Sequence, residues 1–169
     1  MNTPTLPKVT ISEINEFNSS PIELLYFITG KYDEMTNYHT LENVTEYFND
    51  DQHTLNAFCI LHSEIENGGF IQLIQNGYGE FIFNQPVAKQ LAEWGAQETA
   101  TIIERAKIFY LENQHELEED TKINEFSDLY KKHKYFEPIE EHFYSAIDKE
   151  AIIISSYIHQ NLNHFVEIV

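Results

Sequence analysis

The stretch Glu64–Asn76, EIENGGFIQLIQN, decides the fold of this chain. Before it, apolar residues recur at the spacing of one helix face, and after it Phe70, Leu73 and Ile74 form the apolar face of a second, short helix. Glycine adopts backbone conformations that are closed to other residues. The pair Gly68-Gly69 therefore predicts a sharp reversal between two helices, with Gly68 in the left-handed conformation and Phe70 buried just beyond it.

The amides of this stretch allow two interpretations. Asn67, Gln72 and Asn76 can satisfy backbone groups that are exposed where the two helices end. Alternatively, Gln72 and Asn76 line a polar pocket that binds a small molecule. The structural role is favoured, because the backbone of a buried loop needs hydrogen-bond partners.

Helical periodicity continues through most of the chain. Start and stop signals predict the following features: a helix from Ser20-Pro21 to Gly30, a short helix from Thr40, a helix capped by Asn84, a helix opened by Pro138, and a long amphipathic helix running from Ile154 to Val169. Strands are weakly indicated at Ile152–Ile154 and Glu80–Phe83 alone. The sequence thus predicts an all-α fold of seven or eight helices in a single compact domain over residues 1–169.

Composition bounds the choice of partner. The 169 residues include 28 acidic and 10 basic side chains, a net charge of −18, and 42% are hydrophobic. Such a chain can bury a core while its surface repels nucleic acid and anionic membranes. We therefore expect no direct nucleic-acid partner and no membrane partner, and instead expect the basic surface of another protein.

Location and chemistry are constrained by what the sequence lacks. No apolar run reaches the length of a membrane span, and Cys59 is the single cysteine, which is typical of a cytoplasmic protein. The usual nucleophile, nucleotide and zinc motifs are missing, so we expect neither an enzyme nor a cofactor. The nearest approaches to metal-ligand spacing are His62 with Glu66 and the run Glu140-Glu141-His142, and neither supplies a full ligand set.

Two carboxylate clusters are candidates for partner binding. The first comprises Glu112, Glu116, Glu118, Glu119 and Asp120, and the second comprises Glu137, Glu140 and Glu141. Glu112, Glu116 and Glu119 fall at i, i+4 and i+7, a spacing at which like charges destabilise a helix. The plainer interpretation is a solvated helix end for the first cluster and a favourable helix dipole for the second.

The motif residues carry a family resemblance. Glu64, Asn67, Gly68, Gly69, Phe70, Gln72 and Asn76 resemble the E-x-x-NGGF-x-Q-x-x-x-N signature of the bacterial DNA-mimic protein 19 family, whose core is otherwise a domain of unknown function. The resemblance is clearest over residues 51–112. It implies an all-α fold and, for some members, an acidic surface that occupies the DNA site of a DNA-binding protein. The connection Gly77–Phe83 is longer and more aromatic than the family's usual turn.

These observations lead to one functional hypothesis and one alternative. The hypothesis is an acidic interaction protein that binds the basic surface of another protein as a decoy for DNA. The alternative is a helical binding module of another kind, with an immunity-like protein partner or a small-molecule pocket at the glycine motif.

Overall fold

The computed structural model of the protein describes residues 5–36, 48–122 and 125–169. In those residues the chain forms nine α-helices, one 3-10 helix (Lys134–Phe136) and two strands, β1 (Lys8–Val9) and β2 (Glu167–Ile168). The helices are α1 (Ile11–Asn15), α2 (Pro21–Thr36), α3 (Asp50–Gln75), α4 (Gly79–Phe83), α5 (Val87–Glu93), α6 (Gln97–Leu117), α7 (Phe126–Lys132), α8 (Glu137–Gln160) and α9 (Leu162–Phe165). The predicted all-α fold is confirmed.

The chain divides into two compact units. One comprises Met1–Cys59 with Asp148–Val169, and the other is the continuous segment Ile60–Ile147. The predicted organisation as one domain over residues 1–169 stays a prediction.

The discontinuous unit is held by capped helices and by its two short strands. The strands pair in parallel, with Val9 opposite Ile168. At the start of α3 the Gln52 N–H donates to Asn49 Oδ1 at 2.8 Å, and the Asn49 N–H donates to Gln52 Oε1 at 3.0 Å. This reciprocal capping satisfies donors that a helix start leaves unpaired. The fully buried Tyr32 donates its hydroxyl proton to the Phe165 carbonyl oxygen at 3.1 Å.

The continuous unit has an aromatic core. Phe70 stacks on Phe136 with ring centroids 5.4 Å apart, and Phe83 packs on Tyr110 at 4.7 Å. All four side chains are buried, as expected for Phe70 from its place after the glycine pair. Burial of each ring contributes about 1.5 to 3 kcal/mol relative to exposure, so the core depends strongly on where the chain delivers Phe70.

Two predicted helix boundaries are wrong. Gly30 lies inside α2, which continues to Thr36. Asn84 does not cap α5, because Pro86 is the residue before that helix and no side chain caps it. Asn84 instead ends α4, where its backbone N–H donates to the Glu80 carbonyl oxygen. The short helix predicted from Thr40 falls outside the described residues.

The C-terminal prediction is partly wrong. The helix ends at Gln160, and Asn161, with a non-helical φ of −132°, separates it from α9. Phe165 is apolar because it is buried, but it belongs to α9 and not to the long helix. Val169 lies beyond β2 and is 63% exposed. Ile152–Ile154 and Glu80–Phe83, weakly indicated as strands, lie in α8 and α4, since packing in helices overrides the preference of β-branched residues for strands.

Candidate functional site

The glycine pair produces a kink inside α3. Gly69 has φ +76° and ψ −168°, a conformation that is essentially restricted to glycine, whereas Gly68 has φ −171°, which any residue can adopt. The prediction of a reversal at this pair is therefore right in place, but the positive φ belongs to Gly69 and not to Gly68.

Side chains from elsewhere in the continuous unit satisfy the backbone of the kink. The Phe70 N–H donates to Glu140 Oε1 at 2.8 Å, the Tyr130 hydroxyl donates to the Gly68 carbonyl oxygen, and the Tyr144 hydroxyl donates to the Ile65 carbonyl oxygen at 2.8 Å. Burial raises the pKa of Glu140, and the hydrogen bond from Phe70 opposes that rise. Glu140, a sequence candidate for partner binding, therefore has a structural role at this kink.

The motif amides bind a side chain rather than the backbone. Gln72 Nε2 and Asn76 Nδ2 both donate to Glu64 Oε2, at 3.3 and 2.8 Å. The expectation that these two amides satisfy helix-end backbone groups is thus wrong, because Glu64 lies close enough to accept both. Asn67 is exposed.

The first carboxylate cluster does not follow a single helix face. The backbone of α6 is non-helical at Asn113, and the helix ends at Leu117. The assumed i, i+4, i+7 relation of Glu112, Glu116 and Glu119 is therefore wrong, and Glu119 and Asp120 lie on the segment that follows the helix. The repulsion expected if these three carboxylates shared one helix face therefore does not apply to them.

This irregular backbone brings carboxylates together in a surface recess of about 300 Å³, which we call the acidic groove. One ammonium group also lines it. The charged residues of the groove are Glu116, Glu119, Asp120, Glu125, Asp128 and Lys132. Of the predicted cluster, Glu116, Glu119 and Asp120 line the groove, whereas Glu112 and Glu118 do not.

Hydrogen bonds fix the segment that carries Glu119 and Asp120. Gln75 Nε2 donates to the carbonyl oxygens of Leu117 and Glu119, the latter at 3.0 Å, and the Thr121 hydroxyl donates to the same Glu119 oxygen at 2.9 Å. Glu118 turns away and accepts from the Tyr110 hydroxyl. The end of α3 thus positions one wall of the groove, and α7 forms the other.

Glu116 is the one carboxylate of the groove that faces two nitrogen groups. Lys132 Nζ forms an ion pair with its Oε1, and His133 Nε2 lies 3.6 Å from its Oε2. The hydrogen bond from Lys132 lowers the pKa of Glu116. Burial lowers the pKa of His133 from its ordinary 6.5, and the Glu116 carboxylate opposes that shift.

The lowered pKa of His133 predicts a loss of stability in mild acid. Because the unfolded chain binds this proton more readily than the folded chain, the contribution of His133 is fully present above pH 6.5 and is lost as pH falls. Urea unfolding at pH 7 and pH 5 should show a smaller loss of unfolding free energy for His133→Gln than for the wild type. The difference amounts to at most about 1.4 kcal/mol per pH unit. The exposed His115 supplies a control, and an equal change in His115→Gln would contradict this assignment.

The second predicted cluster lies at the start of α8. Glu137 and Glu141 are exposed, and Glu137 and Glu140 occupy the first helical turn, where carboxylates complement the helix dipole. These three residues do not line the acidic groove.

Sequence reasoning missed Glu125 and Asp128. They sit at the start of α7, three residues apart, and join the groove because α7 lies against the segment after α6. A search for acidic residues at both ends of the 118–125 connection would have found them.

Comparison with known proteins identifies the family. A family model described as DMP19-like protein matches residues 46–161, which is more than half of the chain. This chain belongs to the DMP19-like family. A protein of Neisseria meningitidis serogroup B named DNA mimic protein DMP19 is 35% identical over 151 residues, which cover 88% of this chain and 90% of that protein. The resemblance stated from the glycine motif is confirmed and extends well beyond residues 51–112.

In this DMP19-like chain both units are acidic. The continuous segment 60–147 has 16 acidic and 7 basic residues, and the remainder has 12 and 3, so each carries a net charge of −9. Several of the basic side chains in the described residues form ion pairs with a carboxylate three or four positions away, such as Lys31 with Glu34 and Lys89 with Glu93. The negative field is therefore a property of both units rather than of one appendage.

The single cysteine of this DMP19-like protein is part of its core. Cys59 is buried, and burial raises the pKa of its thiol to about 12, so it packs as a small apolar side chain. Across residues 5–36, 48–122 and 125–169, no three His, Cys, Asp or Glu side chains are arranged to hold a metal ion. In the same residues, no helix has an apolar stretch long enough to cross a bilayer.

Proposed function

We propose that this protein is a DNA mimic that binds a DNA-binding protein at its basic, DNA-contacting surface and so excludes DNA. The observation that carries the proposal is the excess of 28 acidic over 10 basic residues in a chain that matches a protein named DNA mimic protein DMP19 over 88% of its length. A decoy for DNA needs surface anions in excess, because phosphate contacts supply much of a DNA-binding protein's affinity.

The acidic groove is the part of the described surface where this role has the clearest physical basis. Five carboxylates face one ammonium group there, and three of the five lie on backbone that hydrogen bonds or helix α6 hold in place. Because this backbone is held in place, less conformational entropy is lost when a cation binds, which favours recognition of lysine and arginine side chains. The exposed carboxylates of Glu112, Glu118, Glu137 and Glu141 extend the surface that we assign to the partner.

The proposed role needs no catalysis and no cofactor. Because DNA-binding proteins of bacteria work in the cytoplasm, the proposal also places this protein there. It acts by occupancy, so its effect depends on its concentration relative to the partner and to DNA.

The alternative of a small-molecule pocket at the glycine motif has less support. The side-chain donors of Gln72 and Asn76 are directed to Glu64, so they are not free to bind a ligand in this arrangement. A protein partner of the immunity type would also use charged surface, and the identity of captured proteins separates it from a decoy.

Affinity capture from a bacterial lysate tests the proposal. Immobilised protein should enrich DNA-binding proteins at about 0.1 M salt and release them as salt rises, because exposed charge pairs are screened over about 10 Å at that ionic strength. Captured proteins that are retained at about 1 M salt and include no DNA-binding protein would contradict the decoy role.

A further inference from the structure

We propose that Asn67 is a site of spontaneous deamidation, at which the protein converts one of its own motif amides into a carboxylate. The chain contains two Asn-Gly pairs, Asn67-Gly68 and Asn76-Gly77, and both have the sequence that this reaction favours. The structure distinguishes them, because it restrains the amide of Asn76 and leaves that of Asn67 exposed. The inference does not rest on the proposed function.

The reaction needs water as its only co-reactant. The Gly68 backbone nitrogen attacks Asn67 Cγ, loses its proton and displaces Nδ2 as ammonia, which closes a succinimide ring. Glycine favours this step because it places no Cβ beside the attacking nitrogen. Water then opens the ring. Cleavage of the bond to Cγ gives aspartate, whereas cleavage of the bond to the main-chain carbonyl carbon gives isoaspartate, in which the main chain runs through the former side chain.

The Asn67 amide is accessible and unrestrained. Its side chain is exposed, and it forms no hydrogen bond with any residue of the ranges 5–36, 48–122 and 125–169. An exposed side chain without a partner exchanges among its staggered rotamers. Asn67 Cγ therefore samples positions close to the Gly68 nitrogen without first breaking a side-chain contact.

The backbone beside Asn67 is not that of a continuous helix. Asn67 is the last residue before the kink, and Gly68 and Gly69 both have non-helical dihedral angles. The Phe70 N–H donates to Glu140 Oε1 at 2.8 Å, whereas a regular helix would direct it to the carbonyl oxygen four residues back. A regular helix resists the rotation that brings an asparagine side chain to the next nitrogen. Two glycines tolerate that rotation at little steric cost.

The Asn76 amide is held in place. Its Nδ2 donates to Glu64 Oε2 at 2.8 Å, and the Gly77 N–H, which supplies the nucleophile in this pair, donates to the Ile74 carbonyl oxygen at 2.9 Å. A carboxylate acceptor on Nδ2 strengthens the amide conjugation and makes Cγ a poorer electrophile. Because the bond to Glu64 must open before the ring closes, it lowers the reactive population about three- to tenfold.

Deamidation at Asn67 changes both the charge and the backbone of the motif. Either product adds a carboxylate beside the exposed Glu66 and makes the net charge of −18 one unit more negative. The isoaspartyl product also lengthens the main chain by one carbon, two residues before Gly69. Since the conformation of Gly69 places the Phe70 N–H on Glu140, we expect the aged protein to be less stable than the fresh protein.

Site-resolved mass spectrometry of the full chain tests the inference. In protein kept folded at mildly alkaline pH, amide hydrolysis at Asn67 should proceed about three- to tenfold faster than at Asn76. The chain unfolded in urea is the control, because both Asn-Gly pairs are then equally mobile and should react at similar rates. Asn67→Gln should abolish the modification at this position and remove the difference in urea stability between fresh and aged protein, since the longer side chain must close a larger ring.

Glu64→Ala tests why the second pair is protected. It releases the Asn76 amide and should raise the rate at Asn76 by about three- to tenfold. Equal rates at Asn67 and Asn76 in the folded wild type, or faster conversion of Asn76, would overturn the inference. An Asn67 that stays intact in the folded protein while the unfolded chain deamidates would overturn it as well, because α3 would then protect this residue.

Discussion

Gly69→Ala should lower the free energy of unfolding by about 3 to 5 kcal/mol. The backbone of Gly69, at φ +76° and ψ −168°, costs another residue about 1 to 3 kcal/mol. A Cβ at this position would also lie 2.2 Å from Glu140 Oε1, the acceptor of the Phe70 N–H. Displacing that carboxylate leaves a buried N–H unpaired, which adds about 1.5 to 3 kcal/mol. Chemical denaturation measures the sum.

Alanine substitutions at two other glycines distinguish the cost of backbone strain from the cost of the steric clash with Glu140. Gly77 has φ +86° but open space around a Cβ, so Gly77→Ala should cost only about 1 to 2 kcal/mol. Gly30 lies inside α2, also with open space, so Gly30→Ala should stabilise by about 0.5 to 1 kcal/mol. If Gly69→Ala costs no more than Gly77→Ala, the contact between Gly69 and Glu140 does not matter and our account of the kink is incorrect.

Neutralising the acidic groove should weaken binding to a captured DNA-binding partner by about tenfold or more. The variant carries five amide substitutions: Glu116→Gln, Glu119→Gln, Asp120→Asn, Glu125→Gln and Asp128→Asn. Exposed pairs contribute about 0.3 kcal/mol or more each, so five lost pairs amount to about 1.5 kcal/mol or more. Calorimetry at fixed salt provides the dissociation constants.

A second set of five amides holds the change in net charge constant. It replaces exposed carboxylates that do not line the groove, at Glu16, Glu23, Glu66, Glu104 and Asp148. This set should weaken binding by less than about threefold, because it alters only the long-range field. Equal losses in both sets would mean that the partner senses total charge and that the groove has no special part.

The sequence was sufficient for the fold class and for the position of the kink. Helical periodicity before and after the glycine pair marked both arms of α3, and the burial of Phe70 followed from its place beyond the turn. The identity of the strained glycine was not accessible, since it depends on Glu140 reaching the Phe70 N–H from 70 residues away. Spacing alone also gave no sign that α8 ends at Gln160, because Phe165 is apolar in either arrangement.

The sequence predicted some of the carboxylates that line the acidic groove and missed others. Local acidity pointed to Glu116, Glu119 and Asp120, but it also drew in Glu140, whose carboxylate accepts the Phe70 N–H at the kink. Glu125 and Asp128 enter the groove through packing of α7, a tertiary contact that charge counts along the chain do not contain. The sequence did not single out His133 for the same reason, because its burial and the approach of its Nε2 to Glu116 both result from tertiary packing.

Competition with DNA on a captured partner is the most direct measurement of the central claim. Labelled duplex DNA bound to that partner should be displaced by this protein in a dose-dependent way, with no ternary complex, and more protein should be needed as the five groove carboxylates are neutralised. A stable ternary complex of partner, DNA and this protein would show that the two ligands occupy different surfaces, and the DNA-mimic account would then be wrong.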